Sequence, residues 1–404
     1  MTAKGSAFLT RDQSRRLRWW RWLYVDEALV MAGAQFREVA LALLMLALWP
    51  NPKSYALALL AVMLPGIALA RVLGAVADRL PPKWPLVASY AVRAGAVLAL
   101  GEARTVIQAV AALLVLSVGS EWAQVTAAHY QADAGDPGRT PILLARLRAV
   151  GSVASSGMPL AAGVAIGALG RGLGFDVSAA AYGLAGLALS QLPWRPPARV
   201  PSTPRMALTA SGLGRLRRQM AVQGVLMGLA WIANVLYTAY ILVTLGAGPV
   251  GFGLALGIWY AAGLAAAWCL PRVRVERPEG VVAGLILVMG LAWAVMTQPV
   301  PFGVVAALGV PEGFATWLMT DVLQTRVLAM APPTARGALV GQSRAWIAGG
   351  RAAGLAAAIA VPAFARVHGG FLVLAALAGV LLVAWAASAA ASPGAARAGP
   401  EPRG

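Results

Sequence analysis

Cysteine, histidine, lysine and acidic residues are all scarce in this chain of 404 residues, and each scarcity removes a class of chemistry. Cys269 is the one cysteine, so no intrachain disulfide can form and no cage of thiolates can hold a metal. His129 and His368 are too few for a histidine-based metal site, and no metal or other cofactor is expected. Lysine occurs only at Lys4, Lys53 and Lys83, none of them in a phosphate cradle of the Walker type. The glycines fall instead in small-residue helix contacts such as Gly163 to Gly167. Nothing in the pattern supports an enzyme, and no residue is assigned a catalytic role.

Apolar sequence is what the chain has in excess. Charged residues make up 12% and hydrophobic residues 59%, against about a quarter and just under a half in soluble domains. A spanning helix needs about 20 mostly apolar residues, because the hydrocarbon core is about 30 Å thick and each residue rises about 1.5 Å. Twelve stretches meet this, at 25–48, 54–76, 84–101, 106–129, 145–168, 175–193, 219–243, 248–270, 280–298, 302–327, 340–364 and 370–391. Runs such as ALALLMLAL near 40–48 are apolar on every side, where a lipid-facing barrel strand would alternate. The fold class expected is therefore all-α, a polytopic membrane protein of twelve transmembrane helices.

A formal charge of +18 points to nucleic acid in a soluble protein, so its distribution decides the partner. Alternate joints carry the basic residues in a ratio of about six to one, with Lys53, Arg104, Arg171 and Arg366 alone on the poorer side. That bias puts both termini in the cytoplasm and makes the bilayer, not nucleic acid, the partner of the arginines. RRLRWWRW at 15–22 has no cleavage site after it and reads as a cytoplasmic interfacial segment with its tryptophans at headgroup level. Arginine in place of lysine, with abundant Ala and Gly, suggests a GC-rich bacterial genome and hence a bacterial inner (plasma) membrane. The chain is taken as a monomer.

Residues 194–218, PWRPPARVPSTPRMALTASGLGRLR, form the one long polar segment in the interior of the sequence. The expected organisation is an interfacial segment at 1–24, a six-helix bundle at 25–193, a cytoplasmic linker at 194–218, a second six-helix bundle at 219–391 and a tail at 392–404. The fourth and tenth spans each carry an acid, Glu121 and Glu312, followed by the joints DPGRTP at 136–141 and PPTARG at 332–337. Such matching is the mark of an internal repeat, common in secondary transporters.

Between spans two and three stands GAVADRLPPK, where Gly74, Asp78, Arg79 and Lys83 carry the spacing Gly-x-x-x-Asp-Arg followed by a basic residue. With this loop, twelve spans and a long central linker, the chain resembles the major facilitator superfamily over nearly its whole length. Arg93 inside span three, LQTRV at 323–327 and TARG at 334–337 make it similar to the bacterial efflux-like branch. The resemblance implies two facing six-helix bundles, a cavity lined by spans 1, 4, 7 and 10, alternating access, and a conformational latch at Gly74, Asp78, Arg79 and Lys83. Pro81 and Pro82 depart from the usual pattern of that loop, and Met158 separates Gly157 from Pro159 where antiporters carry Gly-Pro.

Ionisable residues inside the spans cost about 2.5–3.5 kcal/mol each at the bilayer centre, so they should face one another or a wet cavity. Glu312, beside Pro311 and Gly313, and Glu121 are the first candidates for proton coupling, with Glu38 next. Desolvation disfavours the charged form of a carboxylic acid, the property that proton exchange requires. Arg37, Gln124, Asn234, Tyr237 and Arg351 are candidates for lining a substrate cavity; Asn234 and Tyr237, three apart, share a helix face. Arg93, Asp176 and Asp321 are read as structural intramembrane charges. The alternative for each acid is a fixed pair with Arg37, Arg93 or Arg351. The function expected is secondary transport, the export of an amphipathic small molecule in exchange for protons. An uncoupled facilitator, an importer, a lysolipid flippase, and a transport-inactive sensor or assembly partner are the alternatives.

Overall fold

The computed structural model describes residues 11–77, 83–133, 140–192, 210–273, 278–330, 336–361, 364 and 366–390. Twelve α-helices are present among them: α1 (Arg11–Leu48), α2 (Pro52–Ala77), α3 (Lys83–Gly101), α4 (Val106–Asp133), α5 (Thr140–Leu169), α6 (Gly172–Ser190), α7 (Ala210–Ala239), α8 (Gly248–Cys269), α9 (Pro278–Val295), α10 (Phe302–Met330), α11 (Arg336–Ala360) and α12 (Val367–Ala390). Ten are long and apolar enough to cross a membrane. In α9 and α11 the apolar stretches are shorter, Glu279–Val295 and Ala345–Ala360, because α11 opens on polar residues such as Gln342 and Ser343. The chain is a multi-pass membrane protein.

Helix α1 runs unbroken for 38 residues because it holds no proline and only Gly33 as a weak point. Its basic end is therefore continuous with the first span. Trp20 is 1% exposed and Leu23 2%, packed inside the protein, so Trp20 does not take the headgroup position expected of it, while Trp22 at 38% faces outward. α7 ends in a π-helical turn, Tyr240–Thr244, in which the Leu245 N–H reaches back to the Tyr240 carbonyl at 2.9 Å. Gly246 and Gly248, at φ +59° and +65°, then turn the chain into α8 in a conformation that a side chain would strain.

The chain divides into two compact units, Met1–Pro50 with Ala58–Pro204, and Asn51–Leu57 with Arg205–Gly404. In the first, α1 packs on α5 and α6, and α3 on α4 and α6. In the second, α7 packs on α11 and α12, and α9 on α10 and α12. The same pairings recur six helices later, and through them α9 and α11 hold the places that α3 and α5 hold in the first unit. Each unit has its own core, around Tyr182, Phe175 and Leu86 in one and Trp293, Tyr240 and Phe371 in the other. Outward faces stay apolar, as Leu184 and Leu187 on α6 and Val380 and Val383 on α12 are exposed, which suits contact with lipid.

In the second unit α7 and α11 meet backbone to backbone. A Cβ on Gly224 would stand 2.8 Å from the Trp346 carbonyl oxygen, and one on Gly228 2.8 Å from that of Gly350. On the facing helix, Gly350 and Gly354 lie as tightly on the carbonyls of Gly224 and Gly228. Glycine at all four positions is what permits this approach.

Candidate functional site

Glu312 lies on α10 with only 4% of its surface exposed. Pro311 before it lacks the N–H that would bond to the Ala307 carbonyl, yet α10 continues through this point from Phe302 to Met330. Gly313 after it does more. A Cβ there would stand 2.7 Å from the Trp259 carbonyl oxygen, closer than any side chain fits, so its absence lets α8 and α10 close together. That approach brings the Trp259 indole N–H to the Glu312 carboxylate, donating to Oε2 at 2.8 Å. Thr316 Oγ1 donates to the Glu312 backbone carbonyl at 2.8 Å, holding the same turn of helix.

A cavity between α7, α8 and α10 opens on this carboxylate, leaving about 60 Å³ for the centres of water molecules. Its polar lining is Asn234, Tyr237 and Thr238 from α7, Trp259 from α8 and Glu312. The sequence-based candidates Glu312, Asn234 and Tyr237 thus converge on one cavity. The Asn234 Oδ1 and the Tyr237 hydroxyl are buried there without a hydrogen-bond partner. The Tyr237 ring is fixed edge-on against Phe371, with centroids 4.9 Å apart. Trp259 also packs on Tyr260 and Trp317, with ring centroids at 5.2 and 5.5 Å. Among the described residues Glu312 has no ion pair, and no cationic side chain lines the cavity.

The first unit handles its buried charge differently. Asp26 on α1, 7% exposed, accepts a hydrogen bond from the Tyr90 hydroxyl of α3 at 2.5 Å. Arg93, one turn further along α3 and 5% exposed, stacks over the Tyr90 ring at 4.7 Å and over the Tyr182 ring of α6 at 4.0 Å. Arg37 of α1 donates from Nη1 to the Tyr182 hydroxyl at 2.7 Å. Two guanidiniums thus share one tyrosine, one at its face and one at its oxygen. This network joins α1, α3 and α6, and it leaves Arg37 on a phenol instead of an acid.

The remaining candidates lie apart from these two clusters. Glu121 on α4 is half-buried, its carboxylate against Gly66 of α2, where a Cβ would stand 2.5 Å from Oε1. Gln124, a turn further on, is exposed. Glu38 is half-buried on α1 and partnered, as is Asp321 on α10. Asp176 is exposed on α6. Arg351 on α11 lies over the Trp231 ring at 5.3 Å, with Nη2 4.0 Å from Met227 Sδ. Of the loop signature, Asp78 and Arg79 fall outside the described residues, Gly74 lies in α2, and Lys83 opens α3 with its ammonium 5.5 Å over the Trp84 ring. The described residues hold no group of three or more His, Cys, Asp or Glu that could bind a metal ion.

Sequence reasoning missed Trp259, Asp26, Tyr90 and Tyr182. Trp259 is near the middle of its span, away from the interfacial belt, and that position was the available signal. Asp26 stands at the edge of the first apolar stretch and is drawn into the protein interior because α1 begins fifteen residues earlier. The two tyrosines carry no local sequence signal.

No family model matches the chain, and no curated protein matches it. Solved structures do. A bacterial homologue of the iron transporter ferroportin, in an inward-facing state, aligns with a TM-score of 0.70 at 17% identity over 91% of this chain and 98% of that one. The nucleoside transporter NupG aligns with a TM-score of 0.69 at 15% identity, over 91% and 98%. The POT family transporter PepTSo aligns with a TM-score of 0.72 at 10% identity, over 93% and 98%. At these identities the likeness shows the fold, and the fold is that of the major facilitator superfamily.

Proposed function

We propose that this chain, whose fold is that of the major facilitator transporters, is a secondary transporter of a bacterial inner membrane that exports an amphipathic small molecule in exchange for protons. Glu312 is the proton carrier in this reading. The observation that carries it is a buried carboxylate with a single indole N–H for company, no cation beside it among the described residues, and a cavity that Glu312 lines. An isolated carboxylate is costly in its ionised form within a membrane, and taking up a proton relieves that cost. The cavity has polar groups among its apolar walls and room for a few water molecules, the medium through which a proton reaches a buried acid. Each proton moved through 100 mV supplies about 2.3 kcal/mol to drive export.

The solved structures of like fold include a nucleoside transporter, a POT family transporter and a bacterial homologue of an iron transporter, which supports transport as the activity. Direction, coupling and substrate rest on the residues of this chain. Glu121 is the second choice, since it lies in the equivalent helix of the first unit but is half-buried against Gly66. The loop holding Asp78, Arg79 and Lys83 is proposed as the latch, with both termini and the 194–218 segment cytoplasmic.

The test uses purified protein in liposomes, with proton-gradient-driven flux and substrate exchange measured side by side for wild type, Glu121→Gln and Glu312→Gln. Glutamine keeps size and hydrogen bonding but does not titrate. Glu312→Gln is expected to abolish gradient-driven accumulation while labelled substrate still exchanges for unlabelled. If both variants keep gradient-driven flux, the coupling site is elsewhere or the protein is a facilitator.

A further inference from the structure

The cavity on Glu312 also selects what it holds. Its acceptors outnumber its donors: the carboxylate has two oxygens and one described donor, Trp259 Nε1, the Asn234 Oδ1 has none, and the unpartnered Tyr237 hydroxyl can supply only one more. A carboxylate offers about four lone-pair sites, so most of its capacity is unused. The walls are apolar and aromatic, from Phe252, Leu256, Tyr237 and Trp259. We propose that this cavity binds a protonated primary or secondary amine, its positive charge paired with Glu312, its N–H groups directed to Glu312 and Asn234 Oδ1, and its first carbons against the aromatic walls. The proposal rests on the reading of Glu312 as the coupling acid and adds the chemical class of the substrate.

Three competing classes fit less well. An anion meets the carboxylate with like charge and no guanidinium or ammonium to offset it. A neutral hydroxyl leaves the buried charge uncompensated. A quaternary ammonium gains the attraction of charge and aromatic face but brings no N–H to the orphaned acceptor. The small volume limits the cavity to a headgroup and the carbons next to it.

Proton and amine then exclude one another, because a protonated carboxylic acid no longer pairs with a cation. Exchange of one for the other follows without a separate coupling device. Among the described side chains, the other titratable or charged groups on α-helices packed against α10 are Tyr237 on α7 and Tyr240 in the π-helical turn that follows it, Tyr260 and Cys269 on α8, Glu279 on α9 and Arg351 on α11, together with the exposed Arg217 and Arg218 on α7. Glu279 is paired with Arg326 at 2.7 Å and Arg351 lies over Trp231, so Glu312 is the carboxylate at the cavity.

The test is calorimetric binding by the purified full chain in detergent at neutral pH, with benzylamine, benzyltrimethylammonium and benzyl alcohol as probes. The three share a ring and differ in the headgroup. Benzylamine is expected to bind about tenfold or more tighter than either of the others, the worth of a charge-assisted hydrogen bond. Glu312→Gln should abolish the preference. Equal binding of the alcohol or the trimethyl compound, binding of none of the three, or a preference unchanged in Glu312→Gln overturns the proposal. The wild-type comparison decides even where the variant fails to fold. If Glu312→Gln keeps gradient-driven flux in liposomes while wild type prefers benzylamine and the variant does not, the coupling role alone falls. If wild type shows no preference for benzylamine while Glu312→Gln loses gradient-driven flux, the substrate class alone falls.

Discussion

The two units bury charge in opposite ways. In the first, Asp26, Arg93 and Arg37 are tied through Tyr90 and Tyr182, each tyrosine serving one charged neighbour with its hydroxyl and Arg93 with its ring. In the second, Glu312 has one indole N–H and an open cavity. A charge whose partners are all protein groups is held in place. A charge left with spare lone pairs and room beside it is available for exchange with something that comes and goes. The duplicated architecture therefore does not duplicate its chemistry.

Arg93→Leu strikes the first cluster hardest. It leaves Asp26 with the Tyr90 hydroxyl but without the charge of Arg93, and it removes the group stacked on both tyrosines; taking one partner from a buried charged network costs about 3–5 kcal/mol. Denaturant or thermal unfolding of the detergent-solubilised protein reads the loss. A change below about 1 kcal/mol, the scale of a surface pair, would break the contrast by showing that the cluster is not what holds α1, α3 and α6 together.

Tyr182→Phe is a finer probe of the same cluster. It keeps the ring under Arg93 and removes the hydroxyl that accepts from Arg37, for an expected loss of about 0.5–1.5 kcal/mol. A loss as large as that of Arg93→Leu would move the weight of the network from the stacked guanidinium to the phenol oxygen.

Glu312→Gln should change stability least of the three. Glutamine still accepts from Trp259 Nε1, and neutralising an unpaired buried charge removes a desolvation cost. Unfolding within about 0.5 kcal/mol of wild type, or a gain, combined with lost gradient-driven flux, sharpens the contrast between a structural and an exchangeable charge. A fall comparable to Arg93→Leu would make Glu312 part of the scaffold.

How far the sequence foretold this depends on distance along the chain. Span existence is written locally, as twenty-residue apolar runs, and the helices follow them closely from α2 onward except at α7, which begins nine residues early at Ala210, within the stretch expected to be linker. Glu312, Asn234 and Tyr237 stood out because polar groups inside a membrane span are costly and need a reason. Their meeting in one cavity depends on α7 packing beside α10, which no local pattern encodes. Trp259 was hidden by the prior that tryptophan marks the interface. Asp26 was hidden by the basic segment before it: a charged run normally ends a span, whereas here α1 carries straight through, and Trp20 and Leu23 hold that extension in the interior.

The glycine seam between α7 and α11 bears on how the second unit transmits force. Two helices separated by side chains can slide, because side chains change rotamer and fill the gaps. Where carbonyls of Gly224 and Gly228 rest on the backbone of Gly350 and Gly354, no such cushion exists, and the pair behaves as one stiff beam. Asn234 and Tyr237 sit on that beam, one to three turns beyond the seam. Moving α11 is therefore expected to carry Asn234 and Tyr237, and with them one wall of the Glu312 cavity, in the same direction.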